Sequence, residues 1–346
     1  KICEICGICG ICGKQILNSV NSDNSVNSDM LILLIAFLLP GSESSGIHAG
    51  EAVVIGGIKQ WISIKAENST DPVLLFLHGG PGNSAMGYAN RFTGELQKHF
   101  VVVQWDQRES GTTAQLNRTN QPLSVELMER DAIEMIQYLC SRFSKTKIYL
   151  MGHSWGGFLG LTVAAHHPEL LEAYLAVSPM IYQVESERLS LQWLKTKEKN
   201  NPRAVAELST IILPFRNSDQ LYYHRSWLAR AMGTKPPTKA YVGSWAKKWL
   251  SVFNEASQIN FIATVREIKC PIYFFIGGKD YQTHFKLAQD YFRVLKADKK
   301  QLFWFADSGH NLILTEPGKF QEIIIREIGP KKDKPAPVKA HLMSTP

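Results

Sequence analysis

The 346-residue chain lacks any run of 18 apolar residues, the length at which a segment begins to read as a membrane-spanning helix. No stable membrane insertion is expected. Cysteine is scarce outside the N-terminus. Four of the six cysteines, Cys3, Cys6, Cys9 and Cys12, fall in the first 13 residues, leaving Cys140 and Cys270 for the rest. That excludes a small disulfide scaffold. Charge of one sign is not concentrated either. Net charge is 38 − 31 = +7. The basic residues are scattered, with small clusters at Lys195, Lys197 and Lys199, at Lys299 and Lys300, and after Pro330. Without a basic stripe and interleaved aromatics, nucleic acid is not an expected partner. What is present is ordinary globular composition, 45% hydrophobic and 20% charged, with room for two average domains or one with a large insertion.

The run CxxCxxCxxC has the spacing of an iron–sulfur or zinc ligand set. Its monotonous Ile-Cys-Gly repeat leads into NSVNSD twice over Asn18 to Asp29, and two tandem repeats in succession read as low-complexity sequence. Residues 1–29 are therefore taken as a tail ahead of a start at Met30. The ten apolar residues from Met30 fit the core of a secretory signal better than a membrane span, although no basic residue directly precedes them. Residues 30–46 are read as a signal-like segment, and a periplasmic or secreted location is favoured over a cytoplasmic one.

After residue 50, Gly56-Gly57 between two short apolar alternations is a hairpin signal. Continuous apolar runs then alternate with helix-length segments. The runs are Val73–Leu77, Val101–Trp105, Ile148–Met151, Ala173–Val177, Ile272–Ile276 and Leu302–Phe305. Ser124–Phe143 and Phe158–His166 are helical candidates. This pattern predicts an α/β fold with a mostly parallel sheet covered by helices on both faces. Residues 181–264 hold no convincing strand and four tryptophans, Trp193, Trp227, Trp245 and Trp249. They read as a helical cap between a first core part, 47–180, and a second, 265–329. Residues 330–346 form a Pro/Lys-rich tail. The tryptophans serve the cap's own packing or line a cleft beneath it.

Ser154 lies in Gly-His-Ser-Trp-Gly between a predicted strand and a predicted helix. The G-x-S-x-G pattern alone is common. In this context Gly152 and Gly156 clear space for a strained turn that pushes the serine hydroxyl out at the top of the sheet. A serine is a poor nucleophile unless a base takes its proton, and the base needs an orienting acid. IYFFIGGKD ends a strand and delivers Asp280, and LFWFADSGHN ends the next and delivers His310. The order serine, acid, histidine suits such a fold. Asp131, Asp290, Asp298 and Asp307 are poorer acids by position, and His284 reads as a surface or pocket-rim residue. LLFLHGGPG supplies a glycine-rich loop after the third strand. Two backbone N–H groups must face the developing oxyanion. Trp155 is expected to give one and Gly80 the other, with Gly79 second. The full spacing of a phosphate-binding loop is absent.

HGGPG, then WDQRESG at Trp105 to Gly111, then GHSWGG, then the late aspartate and histidine together resemble the proline iminopeptidases of the α/β-hydrolase superfamily. The resemblance spans roughly residues 50 to 328. It implies release of an N-terminal residue, often proline, from short peptides through a serine acyl-enzyme, with no metal or organic cofactor. Two departures lie near the expected site. Glu109 stands where the family typically has glycine, and the elbow has His153 and Gly157 where GGSWGS is common. They leave the hydrolase reading intact and loosen the inference to proline. Asp106 and Arg108 match the motif and are expected in a structural ion pair. The family recognises the substrate ammonium with cap glutamates. Glu185 and Glu187, at the entry to the cap, are the first candidates, Glu198, Glu207 and Glu255 are also available, and Glu109 is an outside candidate.

An esterase or lipase-like hydrolase would use the same triad, because specificity lives in the cap. A hydrolase fold kept as a small-molecule receptor is a further alternative, and the intact triad argues against it. The expected partner is a short peptide or another small molecule. Oligomeric state is not legible.

Overall fold

Gly56 and Gly57 both take positive φ, 57° and 74°, the two-residue turn whose twist matches its flanking strands. They join β1 (Ile47–Ile55) to β2 (Ile58–Ala66) in an antiparallel hairpin. The computed structural model describes residues 45–119 and 121–330. The N-terminal repeats, the whole apolar run from Met30 to Leu39 and the tail beyond Pro330 lie outside the described residues, and with them the expected export signal.

The hairpin leads into β3 (Val73–Leu77), β4 (Val101–Asp106), β5 (Ile148–His153), β6 (Leu171–Val177), β7 (Ile272–Gly277) and β8 (Lys300–Phe305). Together they form one eight-stranded sheet in the order β1-β2-β4-β3-β5-β6-β7-β8. From β4 to β8 all neighbours pair in parallel. Parallel strands need crossovers, and the crossovers cover both faces. That is why β3 and β4 are buried at every position. Alternate residues of β3 face opposite sides. Val73, Leu75 and Leu77 join the larger core, and Leu74 and Phe76 pack with Phe92, Phe305 and Phe320 in a second core on the other face.

Two helices on the larger-core side matter for the site. α1 (Val125–Arg142) starts where Ser124 accepts the Leu127 N–H, and it buries Met128, Ala132, Met135 and Leu139. α2 (Trp155–His166) follows β5 directly and is buried on nearly all sides, so it shows no amphipathic stripe.

The stretch after β6 is helical throughout: α3 (Gln183–Lys197), α4 (Pro202–Ser209), α5 (Ser218–Ala231), α6 (Lys239–Ser257) and a single turn at Phe261–Thr264. Asn201, Asn217 and Thr238 accept first-turn N–H groups at the starts of α4, α5 and α6. Cap and sheet form one compact unit. α7 (Phe285–Val294) crosses from β7 to β8. The sequence pattern gave no sign of the two-residue parallel pairing between Glu267–Ile268 and Lys296–Ala297, which is too short to show a period. Among the described residues no helix is long and apolar enough to cross a membrane.

Candidate active site

The ends of β3, β5, β7 and β8 come level at one edge of the sheet. Leu77 pairs with Gly152, Gly152 with Ala176, and Gly277 with Phe305. The loops after these four strands therefore converge, as expected at the carboxyl edge of a parallel sheet.

Ser154 sits in the turn between β5 and α2 at φ 58° and ψ −114°, a strained conformation for a non-glycine residue. The turn is over-determined by its neighbours. The Ser154 N–H donates to the Val177 carbonyl at 3.0 Å, and its carbonyl accepts from Phe158 N–H at 3.0 Å and Met180 N–H at 3.3 Å. A Cβ on Gly156 would drive into the Leu77 carbonyl, and one on Gly152 into the backbone of Gly156. The two glycines are thus required by contact with main chain that cannot move aside.

The structure brings Ser154, Asp280 and His310 together. His310 Nε2 lies 3.0 Å from Ser154 Oγ, and His310 Nδ1 lies 2.9 Å from Asp280 Oδ2. All three residues are buried. Asp280 Oδ1 accepts the N–H groups of Gln282 at 2.9 Å and Thr283 at 3.0 Å. Burial pushes the Asp280 carboxyl up, but His310 and the Thr283 hydrogen bonds outweigh it and hold the group below the usual carboxylate range. The Thr283 hydroxyl is 2.9 Å from Asp280 Oδ2, 2.9 Å from the Ser178 carbonyl and 3.2 Å from His310 Nδ1. Sequence reasoning missed Thr283, because a threonine three residues after an aspartate carries no distinctive signal.

Trp155 is the first residue of α2, where N–H groups have no intrahelical acceptor. Gly80 lines the same cavity as Ser154 and His310. Gly79 is closer to the nucleophile's own side chain, since a Cβ there would stand 3.2 Å from Ser154 Cβ.

That cavity, of about 860 Å³, lies between the sheet edge and the cap. Of the four cap tryptophans, Trp193 and Trp245 line it, whereas Trp227 and Trp249 are buried in packing. Trp193 stacks on Tyr281 with ring centroids 4.1 Å apart. Trp245 donates its indole N–H to the Pro81 carbonyl at 2.8 Å, which fastens α6 to the HGGPG loop. The charged residues of the lining are Arg225, Lys235, Lys279 and Asp307. Asp307 is paired with Lys279 at 3.0 Å, and both are well exposed.

The three glutamates proposed for amine binding are not in that lining. Glu185 pairs with Arg188 at 2.6 Å on the outside of α3. Glu187 is buried and holds Arg225, which donates through both terminal nitrogens, and it also accepts from Gln183 Nε2 at 2.7 Å. Burial pushes the Glu187 carboxyl up, but Arg225 and His224 outweigh it and keep it lowered. Glu109 pairs with Lys248 of α6 at 2.7 Å. Its φ of 59° is the left-handed backbone that glycine adopts without cost.

Two further expectations need correction. Arg108 does form a buried ion pair, but with Asp131, at 2.8 and 2.9 Å, and not with Asp106. Asp131 rises from α1 beneath the β1–β2 hairpin, where Arg108 also donates to the Gly56 carbonyl at 2.9 Å. Asp106 instead accepts the Thr112 N–H at 2.7 Å. His284 is not at a rim. It is buried, starts α7, and its N–H donates to Ser186 Oγ at 2.6 Å. Among the described residues no group of three or more His, Cys, Asp or Glu side chains gathers as a metal site would require.

A strained serine between a strand and a helix is the geometry of a nucleophile elbow, and a histidine on its hydroxyl with an aspartate behind the histidine is the arrangement of a serine triad. A family model for the alpha/beta hydrolase fold matches residues 72–317. The chain belongs to the α/β-hydrolase family. It is 29% identical over 311 residues to the Bacillus subtilis (strain 168) protein named Probable aminopeptidase YbaC, covering 82% of this chain and 97% of that one. It is 22% identical over 272 residues to a proline iminopeptidase of Heyndrickxia coagulans, covering 75% and 91%. The crystal structure of the proline iminopeptidase of Mycobacterium smegmatis superposes with a TM-score of 0.57 at 16% identity, covering 80% of this chain and 96% of that one. The α/β-hydrolase architecture expected from the sequence is therefore this chain's fold, and the resemblance to proline iminopeptidases holds across most of its length.

Proposed function

We propose that this α/β-hydrolase is a serine aminopeptidase of the proline iminopeptidase type, releasing N-terminal residues from short peptides. The observation that carries the reading is the unbroken relay Asp280–His310–Ser154 at a cavity whose wall includes the HGGPG loop. In this reading Ser154 Oγ attacks the scissile carbonyl, and His310 takes its proton. Gly80 and Trp155 N–H groups receive the oxyanion. His310 then passes the proton to the leaving amine, and water cleaves the acyl-enzyme by the same route. The similarity to proteins named aminopeptidase and proline iminopeptidase supports the peptidase assignment. Trp193 has Tyr281 stacked on one face and the Lys197 ammonium over its ring, so the aromatic support for a substrate ammonium rests on Tyr241 and Trp245, which also line the cavity, because a cation is attracted to a ring face.

A second reading, an esterase with the same triad, is favoured by one observation. The carboxylate in the cavity lining is Asp307, already paired with Lys279, so the ammonium meets no unengaged carboxylate there. The two readings separate on three substrates: a free aminoacyl aryl amide, its N-acetyl derivative and a short-chain aryl ester. The aminopeptidase reading expects kcat/KM on the free amide to exceed that on the acetylated one by about 30-fold or more, the factor that about 2 kcal/mol brings. Equal rates on the two amides with faster turnover of the ester establish the esterase instead. Export belongs to the same proposal. It is tested by N-terminal sequencing of protein from its native host, and retention of Leu31 to Leu39 overturns it.

A further inference from the structure

Gln107 is fully buried and belongs neither to the triad nor to the cavity lining. Its side-chain amide has two partners on two different loops. Nε2 donates to the His78 carbonyl at 3.0 Å, and Oε1 accepts the Trp155 indole N–H at 3.2 Å. The orientation of the amide is unambiguous. An indole only donates and a carbonyl only accepts, so a flipped amide would face two like groups at once. The main-chain N–H of Gln107 makes a third bond, to His78 Nε2 at 3.2 Å.

These bonds fix His78 as well. Because the Gly79 carbonyl only accepts and Gln107 N–H only donates, Nδ1 carries the hydrogen that reaches the Gly79 carbonyl at 3.0 Å and His78 Nε2 is the acceptor nitrogen, with the Ser110 hydroxyl 2.9 Å from it as well. Burial lowers the His78 pKa and keeps the ring neutral, as this tautomer requires. The Gly79 carbonyl also accepts the Asn83 N–H at 3.1 Å. In a trans peptide the N–H points opposite to the carbonyl. Holding the Gly79 carbonyl from one side therefore sets the direction of the Gly80 N–H on the other.

We infer that Gln107 is a positioning residue for the oxyanion hole, bridging the two segments that supply its N–H groups. Through His78 it orients the Gly79–Gly80 peptide, and through the indole it holds Trp155 and the first turn of α2. The two donors come from loops after different strands, and Gln107 fixes the distance between them. This deepens the serine-hydrolase reading and rests on it. The bonds are made in the resting enzyme, so the hole is aligned before charge develops and no reorganisation is spent during the reaction.

The test uses Gln107→Met, which keeps the length of the side chain and removes both hydrogen bonds, beside Trp155→Phe, which removes the indole donor and keeps the main-chain N–H. Folded sites are counted by titration with a phosphonylating serine reagent, and turnover is expressed per titrated site. Gln107→Met is expected to lower kcat per site about 10- to 1,000-fold, reaching at most the roughly 10²- to 10³-fold cost of losing an oxyanion donor outright, with KM changed less than about threefold. Affinity for a trifluoromethyl ketone, which forms a tetrahedral adduct on serine, should fall in proportion to kcat. Affinity for the product amino acid should not. The double variant should lose less than the product of the two single losses, because both cut one bridge. A purely structural role predicts fewer titratable sites, each turning over at the normal rate, and that result overturns the proposal. Ser154→Ala is run alongside. If it retains turnover, the serine mechanism and this proposal fall together. If it is inactive while Gln107→Met is normal per site, the mechanism stands and only the positioning role falls.

Discussion

The imidazole of His153 donates its Nε2 hydrogen to the main-chain carbonyl of His310 at 2.9 Å, and the two ring centroids lie 4.9 Å apart. The residue before Ser154 thus holds the backbone of His310. Burial, and then the proximity of His310, push the His153 pKa down to about 4. His153 is therefore neutral near pH 7, and in the proposed mechanism no second positive charge opposes an imidazolium on His310.

Buried neutral histidines make stability pH-dependent. His224 is likewise pushed down to about 4, chiefly by burial. An unfolded chain binds protons at these sites below about pH 6.5, and the folded chain does so only near 4. Stability rises with pH wherever the unfolded state binds more protons. The contribution of His153 and His224 is therefore complete above about pH 6.5 and is lost as pH falls through the window to 4. Asp280 and Glu187, whose pKa values are lowered from 3.8 and 4.5, begin to matter only at the acid end of that window. Between about pH 7 and pH 5 the loss should be on the order of 1 to 2 kcal/mol for each histidine. It is read as a shift in urea midpoint, and His224→Asn should reduce that shift. An unchanged midpoint refutes the assignment.

Ser154→Ala should leave the fold intact and cut turnover by about 10⁶-fold, by analogy with other triads. A phosphonylating reagent should label Ser154 in the unmodified chain. Peptide mapping that finds the label on a different serine removes Ser154 as the nucleophile.

Asp280→Asn should cost about 10⁴-fold in kcat, because the imidazole loses the acceptor that fixes its tautomer. Thr283→Val removes one of several hydrogen bonds to the same carboxylate, worth about 1 kcal/mol, so a loss of about fivefold is expected. Steady-state kinetics on one aryl amide compare the two. A Thr283→Val loss equal to that of Asp280→Asn would show that the hydroxyl, rather than the carboxylate, orients His310.

The sheet and the triad were legible because each leaves a local signature. Six continuous apolar runs marked strands, five of them largely buried and the sixth, Leu302–Phe305, in the partly buried edge strand β8, and Ser154, Asp280 and His310 each follow one of them. The bridging contacts were not legible. Gln107 reaches residues tens of positions away, and Thr283 links Asp280, three residues before it, to His310 and the Ser178 carbonyl, which are tens of positions away; nothing in their neighbourhoods distinguishes them from other polar loop residues. Arg108 was expected to pair with Asp106 of the same motif, whereas α1 brings Asp131 beneath the hairpin. The glutamates failed for a related reason. Sequence shows where a carboxylate is available, and only the packed cap shows that Arg188, Arg225 and Lys248 already engage three of them.

Those three pairs should differ sharply in energy. The Glu185–Arg188 pair is solvent-exposed on the arginine side, and such pairs contribute about 0 to 1 kcal/mol. Lys248 is likewise largely exposed opposite Glu109, so that pair is screened to a similar value. Glu187 is different. Its side chain is 2% exposed and Arg225 only 17%, with His224 buried beside them. Glu187→Gln leaves a guanidinium in the cap without its counter-charge. Breaking a buried pair costs about 3 to 5 kcal/mol, and the partial access of Arg225 to the cavity puts the expected loss near the lower figure. Replacing Glu187 and Arg225 together with methionine should recover much of that stability, because the stranded charge is gone. Urea unfolding of these two variants beside Glu185→Gln and Glu109→Gln tests the ranking. The kinetic expectation runs the other way: Glu185→Gln and Glu109→Gln should leave the ratio of rates on free and N-acetylated amides within about twofold, less than 0.5 kcal/mol. A collapse of that ratio in either variant, with stability unchanged, would return that glutamate to the substrate amine.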